Sequence, residues 1–346
     1  MEPTIKVGFG EKLHSATKVA ALIDALLEAG IPPAEALRGV HLRADELHSP
    51  ATRVSLNQMI EACRNAMRLS RDPHLAFKVG SSVHLSTYGM YGYAMLCSTD
   101  FRRTMEFAVR YHQLATPLTE IVFEEKGACA TWTIVPLPHP RIDAPLYQFV
   151  TELQIGIHIS LMRDVMGESF TPIRIALASP GSETQLTQEL VGCPVLVEQP
   201  AAQIVLDTAW LDKTPTLGNR TTHSEILEIC DRLLVELGRR SGVAGRVREM
   251  LLEDIANRPD LATVAKRLRS TERTLRRQLR AQQTSFRELV DELRMQLATK
   301  YLRDTDMTSE DIAAVIGFSD AANFRHAFRR WTGGPPSEFK HLAGKD

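Results

Sequence analysis

The spacing of hydrophobic residues divides the chain into a helical beginning, a central region that contains strands, and a helical end. Apolar residues recur at helical spacing in three early segments: 16–29, 55–69 and 100–114. After Thr119 apolar and polar residues alternate, which is typical of strands, and residues 121–123 and 129–135 predict a β-hairpin.

The middle of the chain predicts one more long helix and the end of a first domain. The helix covers 144–166, and the strands that follow are predicted over 172–178, 194–198 and 203–206. This order of elements is typical of an α+β domain, which we expect to end near residue 215.

A linker and a second domain follow. The polar stretch 214–222 contains proline and glycine and predicts a linker, and after a helix over 224–237 the residues 239–242 predict a break. We therefore expect three parts: an α+β effector-sensing domain over 1–215, a linker with a helix over 216–243, and an all-α domain over 244–346.

The composition is that of a folded protein, because 44% of the residues are hydrophobic and 24% are charged, which excludes a wholly disordered chain. No run of ~18 apolar residues predicts a transmembrane helix. The first residues lack the basic and apolar regions of a secretory signal. The five cysteines form no Cys-x-x-Cys pair, so we expect neither a disulfide framework nor a zinc site. A cytoplasmic protein that needs no metal and no cofactor fits these features.

The net charge of −1 conceals an uneven distribution. Residues 243–346 contain 19 Lys and Arg against 15 Asp and Glu, a balance of +4, so the rest of the chain carries −5. A basic region beside an acidic one is a weak indication of a polyanionic partner.

The C-terminal third contains a helix–turn–helix pattern. Asp260 begins a short helix, and Thr271 is a typical N-cap residue for a second helix over about 272–281. Leu275 and Leu279 fall on one side of this second helix. Four arginines fall within one arc on the other side: Arg273, Arg276, Arg277 and Arg280. Such a helix suits the major groove of DNA, because arginine pairs with guanine and with phosphate.

The pattern occurs a second time. Thr308 and Asp311 form a capping box for another short helix, and Ser319 or Asp320 caps a second helix over about 320–331. That helix has an aromatic inner side, formed by Phe324, Phe328 and Trp331. Its outer arc contains Ala322, Arg325, His326 and Arg329. The two copies match at offsets of 48 and 49 residues, and a duplication arises by chance far less readily than one basic helix.

A long helix separates the two copies. Ser285 and Glu288 are spaced as a capping box, and the helix that follows is predicted to end near Leu302. Its ~17 residues span ~26 Å, long enough to hold two recognition helices about one DNA turn apart.

The C-terminal segment resembles the DNA-binding domain of the AraC/XylS family. The resemblance covers residues ~244–342 and is strongest at Asp311–Ala313, Ile316–Ser319, Phe324, Phe328–Gly333 and Pro336–Phe339. It implies two helix–turn–helix motifs joined by a long linker helix. One position departs from the family pattern, and one expected base contact is apolar. Arg269 stands where the family usually has glycine, and Ala322 offers no hydrogen-bonding group, so its expected base contact is a thymine methyl.

The N-terminal domain resembles the ligand-sensing domain of one branch of that family, the branch named for the arabinose regulator. The matching segments are 31–40, 88–98 and 192–195. The resemblance implies that this domain binds an effector or a partner. Tyr88, Tyr91 and Tyr93 are candidates for lining an effector pocket, because such pockets are largely aromatic, although ordinary core packing is an alternative for each.

The expected protein is mostly α, with an α+β N-terminal domain, and it is a sequence-specific transcription regulator rather than an enzyme. Its expected partners are double-stranded DNA, a small-molecule effector, RNA polymerase if it is an activator, and a second copy of the chain through the N-terminal domain. The predicted DNA-contacting residues are Arg273, Thr274, Arg276, Arg277, Arg280, Ala322, Asn323, Arg325, His326 and Arg329. The predicted caps near phosphates are Thr271, Ser285, Thr308 and Ser319.

Two other functions stay open at this point. The first is a sensor enzyme with an incidental basic tail, although no complete nucleotide-binding motif or nucleophile elbow occurs. Among the eleven histidines, His84, His112 and His158 could bind a metal or haem, but none has metal-ligand spacing. The second alternative is an architectural protein that binds all duplexes equally.

Overall fold

The computed structural model of the chain contains two compact units. The structure describes residues 9–115, 118–137, 139, 141–178, 184–240, 242–257, 259–282 and 284–340. The larger unit comprises 14–136 and 144–235, and the smaller unit combines 1–13, 137–143 and 236–346. The first eight residues, where a secretory signal would begin, and Ser241, within the predicted break, lie outside the described residues.

The larger unit combines helices with a mixed sheet, as the sequence predicts. Its helices are α1 (Thr17–Glu28), α2 (Pro33–Ala36), α3 (Leu56–Leu69), α4 (Leu75–Ser81), α5 (Gly89–Leu96), α6 (Phe101–Tyr111), α7 (Ala144–Met166), α8 (Thr184–Val191) and the first part of α9 (Arg220–Arg240). Its strands are β1 (His14–Ser15), β2 (Arg53–Val54), β3 (Thr119–Lys126), β4 (Cys129–Pro136), β5 (Arg174–Ala176), β6 (Val195–Leu196) and β7 (Ala202–Asp207).

The main sheet has five strands in the order β3-β4-β7-β5-β6. Neighbouring strands are antiparallel except for β5 and β6, which are parallel. The predicted hairpin is confirmed as β3 and β4, with Phe123 opposite Trp132. Alternate residues of β4 are buried, so that Ala130, Trp132 and Ile134 form the inner face of the strand.

Helix α7 runs through the core of the larger unit, and α4 crosses it closely. A Cβ atom on Gly80 would lie 2.3 Å from the carbonyl oxygen of Leu153, and one on Gly156 would lie 2.7 Å from that of Phe77. The two glycines therefore permit a backbone contact that any larger residue would prevent. This contact fixes α7, whose buried polar residues include Gln154 and His158.

Local signals explain where several helices begin and end. Asp100 accepts a hydrogen bond from the amide of Arg103 at 2.8 Å and so caps α6, as predicted. The break predicted over 239–242 begins too early, because α9 continues to Arg240. Among the described residues of this stretch, Gly242 alone has a positive φ, of 61°. Arginine is a good helix former, which explains why the helix persists. None of the described helices is both long enough and apolar enough to cross a bilayer.

The helices of the smaller unit follow one another with short turns. They are α10 (Gly242–Glu253), α11 (Leu261–Arg267), α12 (Glu272–Ala281), α13 (Phe286–Asp304), α14 (Ser309–Val315), α15 (Ala321–Thr332) and α16 (Pro336–Lys340). Helices α11 and α12 form the first helix–turn–helix motif, and α14 and α15 form the second. Helix α13 joins the two motifs, as the sequence predicts.

The two motifs have the same turn. In the first, the amide of Ser270 donates to Ala265 O at 2.8 Å, and Arg269 has a φ of 51°. In the second, the amide of Phe318 donates to Ala313 O at 2.8 Å, and Gly317 has a φ of 78°. Both are helix ends of the Schellman type, which need a left-handed residue. Arg269 takes this conformation without being glycine.

The cores behind the two motifs differ. The first is aliphatic: Val264, Leu275 and Leu279 are completely buried with Val247 and Leu251 of α10. The second is aromatic, with Phe318 packed edge-on against Phe324 and Trp331, and with Phe328 packed against Phe324 and Phe339. Each core buries one side of a second helix and leaves its opposite side exposed.

A buried group of charges lies beneath the first motif. Arg248 of α10 is 4% exposed, and its Nη2 lies 2.6 Å from Glu11 Oε1 and 3.8 Å from Glu292 Oε2 of α13. These atoms are close enough to pair electrostatically but are not aligned for hydrogen bonds. Burial raises the pKa of Glu292 to about 7, against the opposing effect of Arg248. The N-terminal segment 9–13 thus contributes an acidic side chain to the core of the smaller unit.

We expect the two turns to respond oppositely to substitution. Arg269→Gly should stabilise the smaller unit by up to about 1 kcal/mol, because it removes the strain of a left-handed residue that bears a Cβ. The Arg269 side chain forms no hydrogen bond or ion pair with another described residue. Gly317→Ala should destabilise it by about 1–2 kcal/mol. Urea unfolding of the full chain measures both. Equal effects of the two substitutions would contradict the shared geometry.

The stability of the smaller unit should fall as pH rises from about 4.5 to about 7, because folded Glu292 keeps its proton up to about pH 7 and the unfolded residue does not. The loss should amount to about 3 kcal/mol at most. Native-state hydrogen exchange at the amides of α10 and α13 measures it. In Glu292→Gln this dependence should largely disappear. An unchanged pH profile in the variant would show that Glu292 does not titrate in this range.

Candidate nucleic-acid interface

Helix α12 has a buried apolar side and an exposed basic side, as predicted. Thr271 caps the helix, since its Oγ1 accepts a hydrogen bond from the amide of Thr274 at 3.2 Å. Leu275 and Leu279 are completely buried. The four predicted arginines are all exposed: Arg273, Arg276, Arg277 and Arg280.

The four arginines of α12 differ in their surroundings. Arg276 Nη2 lies 2.7 Å from Glu272 Oε2, one turn earlier in the helix. The described part of the chain gives no ion-pair partner to Arg273, Arg277 or Arg280. An exposed ion pair contributes ~0–1 kcal/mol, so Arg276 can exchange Glu272 for a phosphate or a base at little cost. Three side chains are therefore free for a polyanion and the fourth is easily released.

Helix α15 is capped by Asp320 rather than by Ser319. Asp320 Oδ1 accepts a hydrogen bond from the amide of Asn323 at 2.7 Å, whereas Ser319 Oγ donates to Asp320 Oδ2 at 3.0 Å. The side-chain amide of Asn323 donates to both of these residues. Asn323 is thus held within the cap, because its Nδ2 already has two acceptors.

The outer side of α15 is less basic than that of α12. Ala322, Arg325, His326 and Arg329 are exposed, as predicted. Arg325 Nη1 lies 3.3 Å from Glu310 Oε1 of α14, so one cation is partly neutralised. His326 and Arg329 form no side-chain hydrogen bond or ion pair with another described residue. The second motif therefore offers fewer hydrogen-bonding groups to a duplex than the first.

Helix caps and a side chain of α13 fix the position of the second motif. Thr308 and Asp311 form the predicted capping box of α14, and Ser285 Oγ accepts from the amide of Glu288 at 3.2 Å. Sequence reasoning missed Arg294 of α13, which donates to the carbonyl oxygens of Ile316 and Gly317 at 3.0 and 3.1 Å. The Arg294 guanidinium also stacks on Phe318. The turn of the second motif is thereby tied to the connecting helix.

The three tyrosines proposed for an effector pocket do not share one environment. The rings of Tyr88 and Tyr91 lie 6.0 Å apart, and Tyr91 is buried, whereas Tyr93 is 46% exposed. The Tyr88 hydroxyl is buried without a hydrogen-bond partner. Tyr88 and Tyr91 can therefore line a common site, whereas nearly half of the Tyr93 surface is exposed.

A group of buried polar residues near Tyr88 was not predicted. Lys18 of α1 is 8% exposed, and its Nζ lies 5.9 Å from the centre of the Tyr88 ring and 3.4 Å from Gln154 Oε1. Burial lowers the pKa of Lys18 to about 7 and that of His158 to about 3. A lysine in the helical pattern of α1 gives no signal in the sequence that it is buried.

The candidate metal-binding histidines are hydrogen-bonded separately. His84 Nδ1 lies 2.9 Å from Asp164 Oδ1, and His112 Nδ1 lies 2.8 Å from Val109 O. His158 Nδ1 accepts a hydrogen bond from Trp132 Nε1 at 3.2 Å. Within the described ranges, no three His, Cys, Asp or Glu side chains are grouped to hold a metal ion.

Comparison with known proteins gives two family matches and several full-length relatives. The arabinose-binding domain of AraC transcription regulators matches residues 30–215, and a helix-turn-helix domain matches 264–341. The chain is 28% identical over 338 residues to the ornithine utilization regulator of Pseudomonas aeruginosa, covering 96% of this chain and 98% of that protein. It is 26% identical over 271 residues to the transcriptional regulator VqsM of the same organism, covering 76% and 82%. The crystal structure of the transcriptional regulator CdpR, also from that organism, gives a TM-score of 0.49 at 22% identity, over 92% and 96% of the two chains.

We expect Arg277→Ala to weaken binding to a specific DNA site by about 1–3 kcal/mol, because the free guanidinium can pair bidentately with guanine. Fluorescence anisotropy with a specific and an unrelated duplex at fixed salt measures the loss. The control is Arg287→Ala, which removes an exposed arginine from α13. Equal losses for both duplexes would assign Arg277 to phosphate alone.

Proposed function

Because the chain belongs to the AraC family of transcription regulators, it is a DNA-binding regulator, and we propose that α12 and α15 enter successive major grooves under the control of a small-molecule effector. The observation that carries this proposal is the pair of matching motifs, each with a buried apolar side and an exposed polar side. The relatives of the chain are transcription regulators rather than enzymes.

The connecting helix supports the proposed spacing. The 19 residues of α13 span ~28 Å. Recognition helices in successive major grooves lie ~34 Å apart, and the widths of the motifs add to the length of the rod. The hydrogen bonds of Arg294 tie the second motif to this helix, and Leu289 and Leu293 of α13 are buried in the core of the first motif. Both contacts support a separation that does not depend on a flexible linker.

We assign the base-reading role chiefly to the first motif. Arg273, Arg277 and Arg280 are free to contact bases or phosphates, and Thr274 lies beside them on α12. In the second motif His326 and Arg329 are free. Asn323 is held in its cap and Ala322 can offer only an apolar contact. The second half-site should therefore tolerate more sequence variation than the first.

The larger unit is the proposed effector-sensing part, and it is also the proposed surface for a second copy of the chain. RNA polymerase is a proposed partner if the regulator is an activator. The proposed DNA-binding domain covers 244–346, the proposed linker covers 216–243, and the proposed sensing domain covers 1–215. The compact unit around 244–346 also contains residues 9–13, so a fragment without them lacks Glu11 beside Arg248.

Selection of bound duplexes from a random pool, followed by sequencing, tests the proposal with the full chain. We expect two enriched elements about one helical turn apart, with the more constrained element lost in Arg273→Ala and Arg277→Ala. A single element, or elements at variable distances, would contradict the paired arrangement. Equal retention of all duplexes at fixed salt would favour the architectural alternative.

A further inference from the structure

The larger unit buries a lysine without an acidic partner. Lys18 is 8% exposed, and the titratable groups that interact with it electrostatically include His14, Cys63 and His158, none of which is a carboxylate. No described Asp or Glu lies within ion-pairing distance of its Nζ. A buried cation without a counter-ion is costly, and an apolar residue at this position would be more stable. The position is therefore better explained by a ligand than by packing.

The groups around Lys18 come from four other elements, and none is acidic. They are His14 of β1, Cys63 of α3, Tyr88 before α5, and Gln154 and His158 of α7. Two polar atoms among them are buried without a hydrogen-bond partner: His14 Nε2 and the Tyr88 hydroxyl oxygen. His14 is itself 7% exposed. The site thus combines a buried amine that has no carboxylate partner among the described residues with two unused hydrogen-bonding groups.

The hydrogen bonds of this cluster depend on the charge of Lys18. When Gln154 Oε1 accepts from Lys18, Gln154 Nε2 faces His158 Nε2 at 3.3 Å. His158 Nδ1 already accepts from Trp132. A neutral imidazole has a single acceptor nitrogen, so His158 cannot accept both bonds.

Reversing the Gln154 amide removes this conflict, because His158 can then donate to Oε1. The reversed amide presents an N–H to Lys18, which only an uncharged amine can accept. The protein alone therefore favours neutral Lys18, and a charged Lys18 leaves one N–H in the cluster without an acceptor. An anion beside Lys18 favours the charged form of the lysine over the neutral form.

We propose that this cluster is the effector site and that its ligand is a small carboxylate whose oxygens pair with Lys18. The proposal rests on the effector control proposed above. A monoanion matches the single cation better than a phosphate ester, which carries more charge. Tyr88 and His14 can donate to the carboxylate, and the rings of Tyr88 and Tyr91 can contact its apolar part.

The same network connects the ligand to the sheet. A carboxylate stabilises the charged form of Lys18, and Gln154 then turns its Oε1 toward Lys18. His158 Nε2 must then accept from Gln154, so His158 Nδ1 can no longer accept the hydrogen bond from Trp132. Trp132 lies on β4, the strand between β3 and β7. The presence of the anion is thereby coupled to the middle of the main sheet.

Thermal unfolding of the full chain with a panel of probes tests the site. The probes are acetate, butyrate, octanoate, benzoate and phenylacetate, each paired with its primary amide. We expect at least one carboxylate at saturation to raise the melting temperature by about 3 °C or more, while its amide has little effect. The shift should be lost in Lys18→Met and kept in Lys12→Met, which changes an exposed lysine.

Three results would overturn the carboxylate site. They are the absence of any shift in the wild-type chain, equal shifts from a carboxylate and its amide, and equal shifts in the wild type and Lys18→Met. The comparison of carboxylate with amide needs no variant, so it stands even if Lys18→Met folds poorly.

Anisotropy with the selected duplex separates this proposal from the proposed function. A carboxylate that stabilises the chain through Lys18 but leaves DNA affinity unchanged supports the site and contradicts effector control. A carboxylate that changes DNA affinity equally in Lys18→Met supports effector control and overturns the site.

Discussion

The left-handed residue that ends α11 and α14 is the constraint on which the exposed surface of α12 and α15 depends. Each short helix must stop and turn so that the next helix can bury its apolar side against the same core. Gly317 takes this conformation easily, whereas Arg269 takes it with a Cβ in place. The turn decides which side of α12 and of α15 is buried. It therefore also decides that the arginines of α12 face solvent.

The two motifs have the same turn but pack against cores of different side chains. The first rests on an aliphatic core, and the second rests on aromatic rings and on the guanidinium of Arg294. Their polar surfaces differ as well. No described residue forms an ion pair with Arg273, Arg277 or Arg280 of α12, whereas two of the three arginines of α15, Arg325 and Arg330, have acidic partners. A duplicated framework thus supports two unequal polar surfaces, and the first is the better candidate for sequence discrimination.

Much of this arrangement could be predicted from the sequence, because it depends on local signals. Caps such as Thr271, Thr308 and Asp100 act within one turn of helix, and helical spacing separates Leu275 from the arginines around it. Spacing also predicted the long helix α7 with its bounds, Ala144–Met166.

The buried charges could not be predicted in the same way. Lys18 lies in an ordinary helical pattern, and only the packing of α1 against its neighbours buries it. Arg248 meets Glu11 across 237 positions of sequence, a separation that no local pattern reports. The sequence also left two candidate caps for α15, because serine and aspartate both suit an N-cap position. Backbone geometry decides between them, and Asp320 rather than Ser319 is the cap.

The central claim is that α13 holds two recognition helices at a fixed distance along one face of a duplex. Its most direct test inserts base pairs between the two elements of a bound duplex and measures the affinity of the full chain. The account predicts that about five added base pairs, half a turn, lower the affinity to that of a duplex with the first element alone, because the second element moves to the opposite face. An affinity unchanged by this insertion would contradict a rigid connection between the two helices.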